Sequence, residues 1–268
     1  MKSCGLLAIV ILIILVLHLS RYSDTFVPTT IINLDRSPER MRDMMLQCYA
    51  YGIPFERLSA VDGNSYTFTQ GEKDMLFGLA LERQTKIKNN MFKHTKEEQA
   101  ALYNKWENDP KFKREKRVMA CALSHIRTWQ KHKHTSHPYI LILEDDGKIH
   151  SHFRQHVNQT LRYMNKFDPN WDIIWLSGKD PANRERVLQW NLHEIYRMDP
   201  PDYVGQGTGA YMLSRKGLNH FLKIVETDGC SLASDRFLIA NLDPKHSYGI
   251  HPPIFDIHSS RSPSTIGY

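Results

Sequence analysis

The sequence predicts an α/β fold with a mainly parallel, doubly wound sheet flanked by helices. Three observations predict it. Short apolar runs suited to buried strands alternate with helix-like segments along the chain. The most apolar run, YILIL at residues 139–143, has no polar position, as expected for a strand with helices over both faces. The chain has 268 residues, of which 24% are charged and 41% hydrophobic, a balance typical of globular proteins.

The first elements after the N-terminal region form a strand, a helix and a second strand. Residues 29–34 (TTIINL) are apolar and rich in β-branched side chains, which favours a strand. Ser37 is a candidate N-cap, and Pro38 suits the first position of the helix that follows. Residues 55–61 predict the second strand, which ends at Asp62.

Residues 69–117 are polar and charged, and we interpret them as a helical insertion in the domain. Two helices are expected there, near residues 70–83 and 96–105. The basic run KFKREKR at residues 111–117 is interpreted as a solvated surface. Contact with anionic lipid or with a substrate phosphate is the alternative for this run.

The rest of the chain continues the alternation of strands and helices. The pattern predicts helices at 118–131, 153–167 and 215–226, strands at 139–143, 171–176 and 209–213, and a last helix from Ser234. Ser214 is expected to cap the helix that follows it. Three histidines at a Lys-rich helix end are expected to be exposed: His132, His134 and His137.

The N-terminal region predicts a membrane segment. Residues 5–19 are apolar except for one histidine. We expect a signal anchor with a short flank over residues 1–22, a stem over 23–28, and one folded domain over 29–268. This arrangement predicts a single-pass protein of a secretory membrane, with its N-terminus in the cytoplasm. A cleaved signal peptide that leaves a soluble secretory form is the alternative.

Charge and cysteine content narrow the classes of partner. The net charge of +6 favours anionic partners, but the sequence has no zinc finger, homeodomain or aromatic RNA-binding motif, so no nucleic-acid partner is expected. None of the four cysteines forms a CxxC pair, which leaves a zinc or redox site unsupported. We expect buried free thiols, with one disulfide as the alternative.

Three consecutive carboxylates follow the most apolar strand: Glu144, Asp145 and Asp146. Ligands of open α/β sheets bind at the carboxyl ends of the strands. Neighbouring carboxylates repel each other, and a bound cation removes that repulsion. Hard oxygen ligands suit Mg²⁺ or Mn²⁺, so the cluster predicts a metal site. A solvated acidic loop is the alternative.

Other polar residues lie at predicted element ends. Asn33 and Asp62 each end a predicted strand, where amide and carboxylate groups are able to grip sugar or ribose hydroxyls. Asp235 lies at a predicted helix start, where the helix dipole favours a negative charge. Simple helix capping is the alternative role for Asp235.

Seven segments occur in an order that carries a resemblance: IINLDRSPERMRDM, FERLSAVDG, MACALSHIRTWQ, YILILEDD, GTGAYMLSRKGLNHFL, SDRFL and HPPIF. Together they resemble glycosyltransferase family 25, the group of lipooligosaccharide and procollagen hydroxylysine galactosyltransferases, over residues 30–266. The resemblance implies a glycosyltransferase-A type of fold. It also implies that a hexose, most often galactose, is transferred with inversion from a UDP-sugar donor.

The resemblance also implies roles for individual residues. Asn33, Arg36 and Asp62 would contact the donor nucleotide. Glu144 and Asp146 would hold Mn²⁺, or Mg²⁺, against the diphosphate, where the metal acts as a Lewis acid on the leaving group.

Further roles are expected with alternatives. His258 follows the last predicted strand and is a third metal ligand by analogy with transferases of this general fold. His125 is expected either to contact the donor or to support a residue that does. Inversion needs a general base on the acceptor hydroxyl; Asp235 is the candidate, and Asp145 and Asp180 are its rivals.

The acceptor implied by the resemblance is a glycan, glycolipid or glycoprotein. Two other functions remain open from the sequence. One is a catalytically inactive protein of the same fold that binds a nucleotide sugar or a glycan. The other is a metal-dependent nucleotide-sugar hydrolase that uses water as the acceptor.

Overall fold

The computed structural model describes residues 26–77, 113–178, 185–198, 207–230 and 233–257. These residues form six helices and ten strands. The helices are α1 (Pro38–Ala50), α2 (Gln70–Phe77), α3 (Lys113–His132), α4 (Phe153–Phe167), α5 (Arg215–Asp228) and α6 (Ser234–Asn241). The strands are β1 (Thr29–Asn33), β2 (Glu56–Ser59), β3 (Tyr139–Glu144), β4 (Lys148–Ile149), β5 (Ile173–Trp175), β6 (Glu185–Trp190), β7 (His193–Arg197), β8 (Ala210–Ser214), β9 (Ser247–His251) and β10 (Phe255–Asp256).

Eight strands form a mixed central sheet in the order β2-β1-β3-β8-β5-β9-β7-β6. The β1–β2, β1–β3 and β5–β9 pairs are parallel, and the other four are antiparallel. Strands β4 and β10 form a separate antiparallel pair. The α/β class is therefore confirmed, but the expected mainly parallel, doubly wound sheet is wrong.

Strand direction explains the difference. The α4 crossover joins β3 to β5 in the same direction, two positions apart in the sheet, and β8 fills the position between them from the opposite direction. Strands β6 and β7, which the sequence did not predict, add a hairpin and further antiparallel pairing at the sheet edge. Apolar periodicity locates a buried strand but does not encode its direction, because either ladder satisfies the backbone.

The two faces of the sheet carry separate hydrophobic cores. Helices α3, α5 and α6 cover one face, where Trp129 packs against Phe221 and Phe237. Helices α1 and α4 cover the other face, around Met44 and Val157. Since successive residues of a strand point to opposite faces, each central strand contributes alternately to both cores.

The predictions for the starts of two helices had different outcomes. The Ser214 hydroxyl accepts a hydrogen bond from the Gly217 amide at 3.0 Å and caps α5, as expected. Ser37 makes no side-chain capping bond at the start of α1, contrary to expectation; its carbonyl accepts from the Asn33 amide instead. Pro38 does begin the helix, where its fixed φ suits the first turn.

The histidines at the end of α3 differ from one another. His134 and His137 are exposed, as expected. The prediction of exposure is wrong for His132, which is 4% exposed and lies 2.8 Å from the Thr30 hydroxyl. The helix end lies against β1 and β2, so one of its faces is covered by the sheet and only the other meets solvent.

Part of the predicted insertion lies within the described residues. Helix α2 is its first helix, and the basic run continues into the first turns of α3, where Lys113 and Arg114 are exposed. The second expected helix, near 96–105, lies outside the described residues.

The expected anchor at 1–22 also lies outside the described residues, as does the stem up to residue 25. None of the helices in the described part of the chain is long and apolar enough to cross a membrane. The three described cysteines are free thiols; Cys48 and Cys230 are buried and Cys121 is partly exposed.

Candidate active site

The candidate site lies at the carboxyl edge of strands β1 and β3. These strands are parallel neighbours, with Ile32 opposite Glu144, so the residues that follow them meet at one edge. Glu144 has the strand parity of Ile142 and faces the α3 side of the sheet. The acidic cluster is therefore divided, because Asp145 turns to the α1 side.

Asp145 is held by two partners on the α1 side. Its Oδ2 accepts from the Asn33 side-chain amide at 2.5 Å, and Arg40 Nη1 lies 3.3 Å from its Oδ1. The Asn33 Oδ1 in turn accepts from Arg57 Nε at 2.8 Å. Burial raises the pKa of the Asp145 carboxyl despite these contacts. Both Asn33 and Asp145 thus fix the turn after β3 from beneath the surface.

Asp146 is the carboxylate whose environment disfavours its charge most. It is 6% exposed, and Arg40 Nη1 lies 4.0 Å from its Oδ2. Burial, and then the Glu144 and Asp145 charges, raise the pKa of Asp146 to about 7, while Arg40 acts in the opposite direction. One guanidinium therefore faces two buried carboxylates.

Glu144 is oriented by two donors on the α3 side. Its Oε1 accepts from His125 Nε2 at 3.1 Å and from the Thr208 hydroxyl at 2.5 Å. The Glu144 side chain remains 22% exposed, so it is accessible at the surface of the site while one oxygen is held from behind.

A buried hydrogen-bond chain orients His125. The Trp129 indole N–H donates to the Tyr211 hydroxyl at 2.9 Å, and Tyr211 lies 2.8 Å from His125 Nδ1. Because a carboxylate only accepts, His125 Nε2–H donates to Glu144. His125 is 0% exposed, so it supports Glu144 and has no surface to offer a donor substrate.

A second chain links Glu144 to the start of α6. The Thr208 and Ser234 hydroxyls lie 3.0 Å apart, and Ser234 lies 3.8 Å from the Cys121 sulfur. Burial, followed by the charges of Glu144, Asp235 and Asp146, raises the pKa of Cys121 well above its ordinary value. Asp235 thus acts on the same pocket as the acidic cluster.

Asp235 is only partly buried at the first turn of α6, and its Oδ1 accepts from the Arg236 amide. This bond is local to the first turn and does not cap the helix: the N-cap of α6 is Ala233, without a side-chain capping bond, so the alternative role of helix capping is wrong. Asp235 directly follows Ser234, whose hydroxyl is linked through Thr208 to Glu144, and this places it beside the candidate site.

The expected donor-binding residues Arg36 and Asp62 lie together at the same edge. Arg36 Nε donates to Asp62 Oδ2 at 2.6 Å, and the side chains are 43% and 23% exposed. The Asn64 amide donates to Asp62 Oδ1 and orders the turn after β2. This ion pair forms an accessible rim, whereas Asn33 is 1% exposed and lies behind it.

The donor set suits a hard divalent cation. Two of the three carboxylates, Glu144 and Asp146, lie at the end of β3, with Arg40 beside Asp146, and a cation would offset the charge that burial of Asp146 disfavours. A softer set lies beside them: Cys121, His125 and Glu144 place ligand atoms within 4.8 Å of one another, as no other described trio does. His258 and Asp180 lie outside the described residues.

Four supporting residues escaped the sequence interpretation: Arg57, Thr208, Tyr211 and Ser234. Thr208 lies in the glycine-rich segment GQGTG at residues 205–209, before β8. Tyr211 belongs to an apolar strand and gave no polar signal. Each acts through a partner far away in the chain, which a single sequence does not reveal.

The fold and the site define a class of protein: an α/β protein with a carboxylate cluster at the carboxyl ends of adjacent strands. Phosphorylated or metal-complexed ligands usually bind at this edge of such sheets. The model of glycosyltransferase family 25 (LPS biosynthesis protein) matches residues 26–238. The chain therefore belongs to glycosyltransferase family 25, as the resemblance predicted.

Structural similarity to solved proteins is weak. A crystal structure of mouse xyloside xylosyltransferase 1 in its apo form aligns with 9% identity and a TM-score of 0.31, over 79% of this chain and 66% of that chain. The aligned part is thus just under two thirds of the mouse protein. Among curated proteins, none matches this sequence significantly.

Proposed function

We propose that this protein is an inverting glycosyltransferase that moves a hexose, galactose in the first instance, from a UDP-sugar to a glycan, glycolipid or glycoprotein acceptor. Membership of family 25 supports transferase activity. The observation that carries the proposal is the pair Glu144 and Asp146 at the carboxyl edge of β3, with Asp146 buried beside Arg40 and the Glu144 side chain 22% exposed. Such a site favours a cation that carries a diphosphate.

Glu144 and Asp146 hold Mn²⁺ or Mg²⁺ in this proposal, with His258 as a third ligand. A bound cation would neutralise the charge that develops on the leaving UDP. His125 and Thr208 keep the Glu144 carboxylate oriented toward the site. Arg40 balances the remaining charge and ties Asp145 to α1.

The donor nucleotide lies along the rim formed by Arg36 and Asp62. Carboxylates accept from ribose hydroxyls, and a guanidinium pairs with phosphate oxygens. The ion pair between Arg36 and Asp62, at 2.6 Å, keeps both side chains at the surface. Asn33 serves indirectly, since its amide is used to hold Asp145.

Asp235 is the proposed general base. It accepts the proton of the acceptor hydroxyl while that oxygen bonds to the anomeric carbon and the bond to UDP breaks. Asp145 is less suited, because it is 9% exposed and paired with Arg40 and Asn33. Asp235 is partly exposed at the border of the site.

We also propose that the protein acts at a membrane, held by the apolar segment at residues 5–19 with the N-terminus in the cytoplasm. Fractionation of cells that express the full chain, with and without carbonate extraction, tests this. Recovery in the carbonate-soluble fraction would contradict an uncleaved anchor.

The proposed activity is tested with metal-free full-length protein, a panel of UDP-sugars and an acceptor array, with and without Mn²⁺. Sugar transfer that requires both metal and acceptor is expected. UDP release that no acceptor redirects would indicate a hydrolase, and UDP binding without turnover would indicate an inactive binding protein.

The Asp146→Asn variant tests whether Asp146 is a metal ligand. The variant is expected to lose at least about 100-fold in metal-dependent turnover, because the cation loses a carboxylate ligand. Asp43→Asn, an exposed change on α1, is the matched control and should retain wild-type rates. Full activity of Asp146→Asn would rule out its assignment as a ligand.

Asp235→Asn tests the base. Turnover is expected to fall by about 10²–10⁴-fold while donor affinity changes little, since the carboxylate acts on the acceptor. Loss of UDP-sugar binding in this variant would place Asp235 in the donor site instead.

A further inference from the structure

Five histidines converge beside the β6–β7 hairpin: His150, His152, His156, His193 and His251. They come from the end of β4, the start of α4, the start of β7 and the end of β9. The charges of His150, His152 and His193 all influence His156, and those of His150 and His251 influence His193. The proposed transferase site uses none of these residues.

His156 and His193 form the centre of this group. Their ring centroids are 4.1 Å apart with an interplanar angle of 60°, so two imidazoles from different elements are in contact with their planes tilted. His156 Nδ1 is buried and has no hydrogen-bond partner among the described residues. Leaving a buried polar atom without a partner is unfavourable, and a ligand at that nitrogen would remove the penalty.

One ring nitrogen of His193 makes the kind of hydrogen bond that metal-ligating histidines usually make. His193 Nδ1 lies 3.2 Å from the Pro252 carbonyl and donates to it, because a carbonyl is only an acceptor. This bond fixes the tautomer and leaves the Nε2 lone pair available. Metal-ligating histidines usually donate their second N–H to a carbonyl or a carboxylate in this way.

His150 repeats the arrangement with a carboxylate. Its Nε2 lies 2.8 Å from Asp256 Oδ2, across the β4–β10 pair, and Nδ1 is left for another partner. His152 lies one turn before His156, with ring centroids 6.4 Å apart. No three of these nitrogens lie within 4.8 Å of one another, so a third ligand from His150 or His152 requires its side chain to rotate.

We infer that His156 and His193 form the core of a second cation site, completed by His150 or His152, for a divalent cation of the zinc type. Imidazole nitrogens select Zn²⁺, Cu²⁺ or Ni²⁺ over the hard cations that suit the carboxylate cluster. Burial is the main cause that lowers the pKa of His156 to about 4 and also lowers the pKa of His193.

Zn²⁺ is the probe for this site, and the protein is the full chain freed of metal with a chelator. Titration against a zinc indicator, together with the visible absorption of Co²⁺, measures affinity and nitrogen ligation. All titrations use Asp146→Asn as the background, with Glu144→Gln added, so that neither the proposed transferase metal site nor the trio of Cys121, His125 and Glu144 contributes. One equivalent of Zn²⁺ is expected to bind, and the unfolding midpoint should rise with it.

His156→Gln and His193→Gln are each expected to lower the Zn²⁺ affinity at least tenfold. His134→Gln, an exposed change in the turn after α3, is the matched control and should bind as the background does. His152→Gln, also exposed, tests the third ligand without disturbing packing. The unfolding midpoint of each metal-free variant shows whether the fold is retained.

Absence of a Zn²⁺ equivalent in this background would overturn the inference. So would equal Zn²⁺ affinity in the His156→Gln, His193→Gln and control proteins. These experiments do not measure sugar transfer. A failed zinc-binding test therefore does not contradict the proposed transferase activity, and a failed transferase assay does not contradict the zinc site.

Discussion

His125 lies between the two buried chains that orient the candidate site. Nε2 donates to Glu144, and Nδ1 is hydrogen-bonded to the Tyr211 hydroxyl. If the proposed function holds, we expect His125→Ala to lower turnover by about 10–100-fold, because the group that orients a metal ligand is lost. His125→Gln should recover part of that loss, since its amide is able to donate from near the Nε2 position. Initial rates against Mn²⁺ concentration measure the effect.

A structural role alone would reduce folded protein without changing the metal dependence. The rates are therefore referred to folded protein by circular dichroism, with His134→Gln as the control. An unchanged Mn²⁺ dependence in His125→Ala would contradict the positioning role.

Asp168, which lies away from the candidate site, allows a prediction of how the stability of the protein depends on pH. Burial raises the pKa of Asp168, but hydrogen bonds from His246, Tyr248 and the Asn170 amide outweigh burial, so this pKa lies below its ordinary value. A lowered folded-state pKa contributes stability above the ordinary Asp value of about 3.9, and that stability is lost as the pH falls through the folded-state pKa. Asp168→Asn should therefore be less stable than wild type at pH 7, with the difference narrowing at pH 3.

Urea unfolding of both proteins between pH 3 and pH 7 measures this. Asp43→Asn, on the exposed side of α1, should show no such narrowing. A difference between Asp168→Asn and wild type that stays constant over this range would contradict the role of the Asp168 charge.

The location of a site residue was predictable from the sequence when it depended only on the strand that the residue follows. Glu144 and Asp146 follow the most apolar strand, so their location at the sheet edge followed from the sequence. The partners were not predictable: Asn33 was expected to bind a nucleotide, but it lies 1% exposed and holds Asp145. His125 was expected on a helix, yet its link to Tyr211 depends on β8 lying beside β3. Side-chain partners across elements depend on topology, which periodicity does not give.

At the scale of elements, Gly217 lets α5 pack against the chain entering β5. A Cβ at Gly217 would lie 2.1 Å from the Asp172 carbonyl oxygen, which also accepts from the Ser214 amide. We predict that Gly217→Ala destabilises the protein by about 1–3 kcal/mol, because backbone must move to relieve the overlap. Denaturant unfolding of the two proteins measures the difference.

Gly71 in α2 supplies the control. A Cβ there would meet nothing within 4 Å, so Gly71→Ala should be neutral or stabilising by about 0.5–1 kcal/mol through helix propensity. Equal stability of the two variants would show that α5 does not need the close approach at Gly217.

All six described helices were predicted, but only five of the ten described strands were: β1, β2, β3, β5 and β8. The expected helix at 153–167 agrees with α4 at Phe153–Phe167, and β3 extends the expected strand by one residue, to Glu144. The β6–β7 hairpin escaped because its pattern is partly polar, with Glu185, Arg186 and Gln189 exposed at the sheet edge. An edge strand buries little apolar surface, so hydrophobic periodicity carries little information about it.

At the scale of the whole molecule, one sheet separates two cores and couples them through the same strands. Met212 and Leu213 are neighbours on β8, both fully buried, and they point into opposite cores. Because β8 lies between β3 and β5, a defect on either face weakens a strand that both cores share.

We therefore predict that Met212→Ala and Leu213→Ala each lower the free energy of unfolding by about 2–5 kcal/mol, the usual range for a buried truncation. In each variant, tryptophan fluorescence and far-ultraviolet circular dichroism should report one coincident transition, since Trp129 lies in one core and Trp171 in the other. Leu192→Ala, at an 85% exposed hairpin tip, should stay within about 0.5 kcal/mol of wild type. Two separate transitions would mean that the faces unfold independently, and the strand β8 would then not transmit stability between them.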